Sequence, residues 1–402
     1  MQENHSTTMN VKAERTVWAV LFGVSLCHML NDSISSILPA IYPMMKGQFA
    51  LTFVQVGLIT LVFQLTSSLV QPLIGLYADG HHHSWQLSVA MLFSLTGVVM
   101  LSYASSYGVV LASVALIGCG SAVFHPQAAQ IAQTASGGRK GLAQSIFQVG
   151  GNGGFAIGPL IAAAVILPGG MHAFMWVGLI TLVLAVILFF VGRWHMRQLR
   201  KAVKQVRARW ATVKTYSRRR IHFFIFVLFV LMFSKNFYSA SMMSYFSFFL
   251  IGKFGITQQA AQYCLFAYLA SQAVGTIVGG YLGDKYGRKL IIWISILGVS
   301  PFTLALPYVG SLAGAVTLSI VIGMVMASAF SAIMVFATDL MPERTGVIAG
   351  IFYGLSFGIA GIGSSFFGWL ADATSIQMVF EVSTLLPLMG ILAVFLPKMR
   401  QQ

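Results

Sequence analysis

Charge is what this chain has least of. Only 8% of its 402 residues are Asp, Glu, Lys or Arg, and 57% are hydrophobic, whereas ordinary water-soluble domains carry about 25% charged residues. That balance excludes a soluble globular fold and points to a membrane protein. Cysteine is scarce too. Cys27, Cys119 and Cys264 are odd in number and all fall inside apolar runs, which argues against a disulfide framework and leaves them as small packing residues. Enzyme motifs are missing: with no His-Glu-x-x-His and no phosphate-binding loop, neither zinc hydrolysis nor ATP-driven transport is supported, and no cofactor is expected. Gly354-Leu355-Ser356-Phe357-Gly358 matches a nucleophile elbow by letters only, since that device needs a strand-turn-helix and this serine lies within an apolar run.

What the chain does have is length in oil. Runs of about 20 apolar residues, enough to cross roughly 30 Å of hydrocarbon, recur twelve times. They cover Val17–Met44, Phe53–Tyr77, Trp85–Tyr103, Val109–Ala132, Leu142–Leu167, Ala173–Val191, Ile221–Leu250, Ala260–Leu282, Leu290–Tyr308, Ala313–Leu340, Val347–Ala371 and Ile376–Leu396. The first contains Asn31 and Asp32, is too long for a signal-peptide core and shows no small-residue cleavage site, so it is read as retained.

The formal net charge is nevertheless +15, and its placement gives the topology. With the N-terminus inside, the inner loops hold nearly all the Lys and Arg, eleven of them between Arg193 and Arg220, against Lys46 and Lys253 outside and Lys235 within a span. This is a positive-inside pattern, with both termini cytoplasmic. Segment 193–220 has no acidic residue and reads as a basic linker beside anionic headgroups, not as a nucleic-acid site. It divides an N-terminal unit, 1–192, from a C-terminal unit, 221–402.

The two units repeat. Adding 205 to a number in the first lands on its partner in the second: Asn31 on Asn236, Thr52 on Thr257, Gly75 on Gly280, Asp79 on Asp284, Gly118 on Gly323, Arg139 on Arg344, Phe147 on Phe352 and Gly158 on Gly363. The expected fold is therefore all-α and integral to the membrane, with twelve transmembrane helices in two six-helix bundles related by an axis along the membrane normal. The register also places His81-His82-His83-Ser84 over Tyr286-Gly287-Arg288-Lys289. Three adjacent histidines cannot all face one ion, and no acidic or cysteine cluster completes a shell, so an inter-helix loop is expected and no metal site.

Gly280-Tyr281-Leu282-Gly283-Asp284-Lys285-Tyr286-Gly287-Arg288-Lys289 resembles the Gly-x-x-x-Asp-x-x-Gly-Arg-Arg/Lys loop of the major facilitator superfamily, and the resemblance covers the whole chain. Within that superfamily, Phe124-His125-Pro126, the run Gly138 to Asn152, Gly158-Pro159-Leu160, Phe233 to Tyr238 and His28 to Asp32 resemble the bacterial fosmidomycin resistance carriers. That resemblance implies an exporter of phosphonate antibiotics or related small anions in the bacterial inner membrane, driven by exchange for protons and expected to act as a monomer among its lipids. It also implies cytoplasmic latches at Asp79, Arg139, Asp284, Arg288, Lys289 and Arg344. Gly154, Gly158 and Pro159 resemble the core of the antiporter motif of drug exporters. Ala162, Ala163 and Ser145 depart from that motif, and small residues there also serve helix packing.

A charge at the centre of a span costs at least about 2.5–3.5 kcal/mol and marks function by default. Asp32 in the first span and Lys235 in the seventh lie at matching depths, about 21–22 Å from the inner end at 1.5 Å per residue, and are candidates to pair across a central cavity. His28 shares a helical face with Asp32 at i, i+4. Asp32 with His28 is the expected proton-coupling group. Substrate is expected at Lys235, with Asn31, Asn236, Tyr238, His125, Gln148 and Asn152. Asp372 and Glu381 lie near outer ends, where contact with water suffices to explain them. The competing function is an importer of organic acids or sugars with the same fold; an intramembrane enzyme using His125, Asp32 or Ser356 is the remaining class.

Overall fold

The structure is a computed structural model that describes residues 16–68, 71, 85–137, 139–202, 217–341 and 345–397. Every regular element among the described residues is helical. Twelve helices carry the fold: α1 Trp18–Ala40, α2 Phe53–Ser68, α3 Gln86–Ser102, α4 Tyr107–Thr134, α5 Lys140–Ile161, α6 Phe174–Ala202, α7 Arg218–Phe254, α8 Gln258–Tyr286, α9 Arg288–Ile296, α10 Leu312–Leu340, α11 Thr345–Ala373 and α12 Ile376–Ser383. Nine stretches of 20 to 37 residues among the described residues are apolar and long enough to cross a membrane, and α2 and α3 are shorter apolar helices. The chain is a multi-pass membrane protein.

Helix ends explain themselves locally and repeat between the halves. Ser106 accepts a hydrogen bond from the Val109 N–H at the start of α4, and Ser311, 205 residues on, accepts from Gly314 N–H at the start of α10. Thr52 and Thr257 cap α2 and α8 in the same way. Each cap satisfies a backbone donor the helix itself leaves unpaired. The crossings repeat as well. A methyl at Gly118 would overlap Thr66 and the Phe63 carbonyl, and one at Gly323 would overlap Ser271 and the Tyr268 carbonyl. The repeat register of 205 thus holds at the level of individual contacts.

Several spans differ from their sequence boundaries. The first run breaks at Ile41, and Tyr42–Gln48 forms a separate short helix with Pro43 in its first turn, where the missing N–H costs nothing. The ninth breaks at Leu297–Val299 and resumes as Ser300–Ala305 with Pro301 at its start. The twelfth tightens after Ser383 into a 3-10 helix, Leu386–Phe395, opened by Pro387. A π turn, Ala162–Ile166, extends α5. Helix enters both ends of segment 193–220, with α6 running on to Ala202 and α7 starting at Arg218.

Within the first half α1 packs on α5, and the halves meet along α2–α11 and α5–α8. Hydrogen bonds joining the halves gather at the end remote from the basic segment. There Thr60 meets Ser244 at 3.3 Å and Gln259 donates to the Ala163 carbonyl at 3.1 Å.

Candidate functional site

Burial selects the site in the first half. Asp32 on α1 is only 4% exposed, so its carboxylate has lost its water and needs partners. It has three. His28 Nε2 lies 3.2 Å from Oδ2, and His125 Nε2, from α4, lies 3.1 Å from Oδ1. The Asn31 amide donates to Oδ1 at 3.1 Å and reaches Ser121 Oγ on α4 at 3.3 Å.

Both imidazoles are oriented from behind. His28 Nδ1 lies 2.8 Å from the Phe147 carbonyl of α5, and His125 Nδ1 lies 2.9 Å from the Ser121 carbonyl. Carbonyls only accept, so both Nδ1 atoms carry the proton and both Nε2 atoms face the carboxylate. The Phe147 ring stacks on His28 at 4.0 Å between centroids. Gly151 of α5 closes the cluster: a methyl there would sit 2.9 Å from Asp32 Oδ2 and overlap the His28 ring. His125 is the open side of the cluster, its side chain 29% exposed against 4% and 5% for His28 and Asp32.

A nitrogen lone pair and a carboxylate lone pair repel at 3.1–3.2 Å unless a cation lies between them. Each Nε2···O contact among these three side chains becomes a hydrogen bond when a proton lies between the two atoms, whichever atom carries it. Their donor atoms lie within 4.8 Å of one another, close enough to converge on a divalent ion of the two-histidine, one-carboxylate type. Separations of 3.1–3.2 Å suit hydrogen bonds and also neighbouring ligands of one ion.

The expected Asp32–Lys235 pair is not formed. Asp32 is taken by the two histidines, while Lys235 on α7, 9% exposed, holds its ammonium 5.3 Å from the centroid of the Phe330 ring on α10 and has no carboxylate partner among the described residues. Matching depth did not bring the two together because each helix turns its charged residue toward the α4- or α10-type helix of its own half. Beside Lys235, Phe233 stacks on Phe237 at 4.9 Å, and Phe237 packs against Phe367 at 5.3 Å. The Asn236 amide nitrogen and the Tyr238 hydroxyl are buried without a hydrogen-bond partner, which is uncommon enough to need a reason. Lys235, Asn236 and Tyr238 thus give α7 three polar groups with unused capacity.

Of the other expected residues, Gln148 donates to Asn152 at 3.4 Å along α5. Gly154 and Gly158 lie against α1, at the Met29 carbonyl and at Ser36, with Pro159 buried beside them; here the glycines are a helix-packing surface. Arg139 is exposed. Arg288 forms an ion pair with Asp339 of α10, and Lys289 reaches the Val394 carbonyl at 2.8 Å. Asp79, His81 to His83 and Arg344 lie outside the described residues, as does the side chain of Asp284. Two acidic residues assigned only to water have partners: Glu381 accepts from Gln377 at 3.0 Å, and Asp372 accepts from the backbone of α2. The phenylalanines around Lys235 were not anticipated either, although adding 205 to His28, Asp32 and His125 gives Phe233, Phe237 and Phe330.

The chain belongs to the Major Facilitator Superfamily, whose family model matches residues 21–352 and 236–402. It is a transporter and not an enzyme. It is 47% identical over 388 residues to the fosmidomycin resistance protein of Escherichia coli (strain K12), covering 96% of this chain and 95% of that one. It is 33% identical over 387 residues to the uncharacterized MFS-type transporter YfnC of Bacillus subtilis (strain 168), covering 96% and 94%. Among solved structures, a bacterial homolog of the human lysosomal transporter Spinster matches with a TM-score of 0.74 at 17% identity, over 94% of each chain. The nucleoside transporter NupG matches at 0.73 and 15%, over 93% and 98%.

Proposed function

We propose that this transporter exports fosmidomycin-like phosphonates or related small anions across the bacterial inner membrane, in exchange for protons, with its basic segment and both termini in the cytoplasm. The observation that supports the coupling is the buried His28–Asp32–His125 cluster, whose two Nε2···O contacts of 3.2 and 3.1 Å suit bridging protons. Loaded, the cluster ties α1 to α4. Once protons leave through His125, its exposed member, like-charged lone pairs face each other and the present arrangement is no longer favoured. Proton loss on the inner side thereby pushes the molecule away from this form, and proton entry on the outer side restores it. Each ligand shifts the equilibrium only through such differential contacts.

The anion is read at Lys235. A phosphonate in a low-dielectric cavity needs a fixed positive charge, and Lys235 is an ammonium with no carboxylate to satisfy it. Nearby Asn236 offers an N–H donor with no acceptor. Protons and anion are therefore held in opposite halves, α1 with α4 and α7 with α10, and not on one exchanging ion pair.

The test is uptake of labelled phosphonate into inverted membrane vesicles with and without an imposed pH gradient. Wild-type protein is expected to accumulate the compound against its gradient. Asp32→Asn is expected to lose accumulation while still binding the compound. Undiminished accumulation by Asp32→Asn removes the coupling role, and a stoichiometric bound divalent metal that governs transport would assign the cluster to that ion instead.

A further inference from the structure

At the end remote from the basic segment, one residue of α2 is held from three directions by the opposite half. The backbone N–H groups of Phe53 and Val54, the first two residues of α2, donate to the two carboxylate oxygens of Asp372 near the end of α11, at 2.8 and 2.7 Å. The Phe53 carbonyl accepts from the Tyr245 hydroxyl of α7 at 3.3 Å, and the same hydroxyl reaches the Ser364 carbonyl at 2.7 Å. The Phe53 ring packs edge-on against Phe248, 5.2 Å between centroids, with the Lys46 ammonium 4.4 Å above it.

The physics of the Asp372 contact is that of an N-cap supplied from another domain. The first N–H groups of a helix have no partner within it, and the helix dipole places partial positive charge there. A carboxylate spanning two of those donors makes two charge-assisted hydrogen bonds. Asp372 is exposed, so the contact is made at the rim, where opening would hydrate both partners. Beneath it the backbones touch. A methyl at Gly57 would lie 2.6 Å from the Ser364 carbonyl, and one at Gly368 would overlap the Phe53 carbonyl. Among the described residues, Asp372 is the acidic group that bonds the start of α2 across this crossing.

We infer that Asp372 is the latch of the outer gate: it holds the form closed on the outer side by capping α2 from the opposite half, with Tyr245 as the second tie. This concerns access and needs neither the identity of the substrate nor the coupling ion. Opening the outer end must separate α11 from α2 and so must break both Asp372 bonds. Removing them raises the share of molecules open outward, and alternating access lowers the share open inward by the same amount.

Electron spin-label distances on purified protein test this. In a background with Cys27, Cys119 and Cys264 replaced by alanine, one pair of labels at Gln48 and Ala373 reports the outer end, and another at Leu142 and Tyr286 reports the inner end. For Asp372→Ala the outer distances are expected to shift longer and the inner distances shorter, with the ratio of outward-open to inward-open molecules rising about fivefold to 150-fold, the range two lost hydrogen bonds of about 0.5–1.5 kcal/mol each allow. Tyr245→Phe should shift both in the same directions by less, and Asp372→Glu should restore most of the original distribution. Local loosening alone would broaden the outer distances and leave the inner ones where they were, and that result overturns the latch. So does an unchanged distribution at both ends in the Asp372→Ala, Tyr245→Phe double variant.

Discussion

Two halves built on one repeat differ most where their function would be read. Positions 28, 32 and 125 of the first half are His, Asp and His and form one buried hydrogen-bonded cluster; their counterparts 233, 237 and 330 are all Phe. Asn31 and Asn236 are shared, yet the first finds Asp32 and Ser121 while the second is left without a partner. The same helical frame thus accommodates a hydrogen-bonded polar cluster in one half and a wall of rings beside Lys235 in the other. Symmetry sets the positions, and the choice of side chains divides the labour. Asp32 and its neighbours are costly to bury and satisfy one another, whereas among the described residues the Asn236 amide nitrogen and the Tyr238 hydroxyl on α7 are buried without a hydrogen-bond partner, which is the signature expected of a site that completes itself with a ligand.

The comparison is broken most severely by giving the first half the residues of the second. His28→Phe with His125→Phe leaves Asp32 as a buried carboxylate without cationic partners and should cost about 3–5 kcal/mol, read as a large drop in melting temperature in detergent. Adding Asp32→Phe should recover much of that stability while accumulation against a gradient stays lost. A triple variant no more stable than the double would mean that the Phe cluster and the His–Asp–His cluster are not interchangeable packings.

Next comes Lys235→Gln, expected to weaken phosphonate binding by about thirtyfold or more, since truncating a buried charged partner costs about 2–5 kcal/mol; Lys235→Arg should keep part of the affinity with changed selectivity. Isothermal titration on purified protein measures both, and full affinity in Lys235→Gln would move the anion site to His125, Gln148 and Asn152. A smaller effect is expected at Gly151→Ala, where the added methyl overlaps His28 and Asp32; overpacking of this kind costs about 1–3 kcal/mol. Gradient-driven accumulation should fall while phosphonate affinity holds, because the lesion lies on the proton side only. Phe330→Leu should have the least effect, removing a cation–π contact of about 0.5–2 kcal/mol. It should change phosphonate affinity by about twofold to thirtyfold, in a direction that tells whether the ring competes with the anion for Lys235 or holds the ammonium in place for it.

Periodicity and charge placement carried the architecture well. Twelve apolar runs, a register of 205 and a basic segment between the halves are properties of the chain itself, and the capping residues Ser106 and Ser311, like the close crossings at Gly118 and Gly323, repeat on that register. The pairing of Asp32 was not legible in the same way. Helical rise fixes how deep Asp32 and Lys235 lie, but the direction each faces depends on how neighbouring helices pack, and His125, 93 residues from Asp32, was placed with the substrate. Asp372 was missed for another reason: its partners are backbone N–H groups, which every helix start possesses and no residue type announces. Breaks at Ile41 and Leu297 follow prolines and glycines that an apolar run conceals.

The seam between α1 and α5 has a mechanical meaning. Gly150, Gly154 and Gly158 let the two backbones touch, and Ser25 and His28 fasten the seam by hydrogen bonds of 2.7 and 2.8 Å to the Ile146 and Phe147 carbonyls. Two rods joined along so much of their length cannot slide past each other without tearing bonds at every turn, so they behave as one beam. His28 and Asp32 ride on that beam together and keep their spacing through any rocking of it. Only His125 is mounted elsewhere, on α4. Relative travel of α4 against the beam is then the displacement that takes the cluster apart, and a crosslink between α4 and α1 would lock the three side chains together.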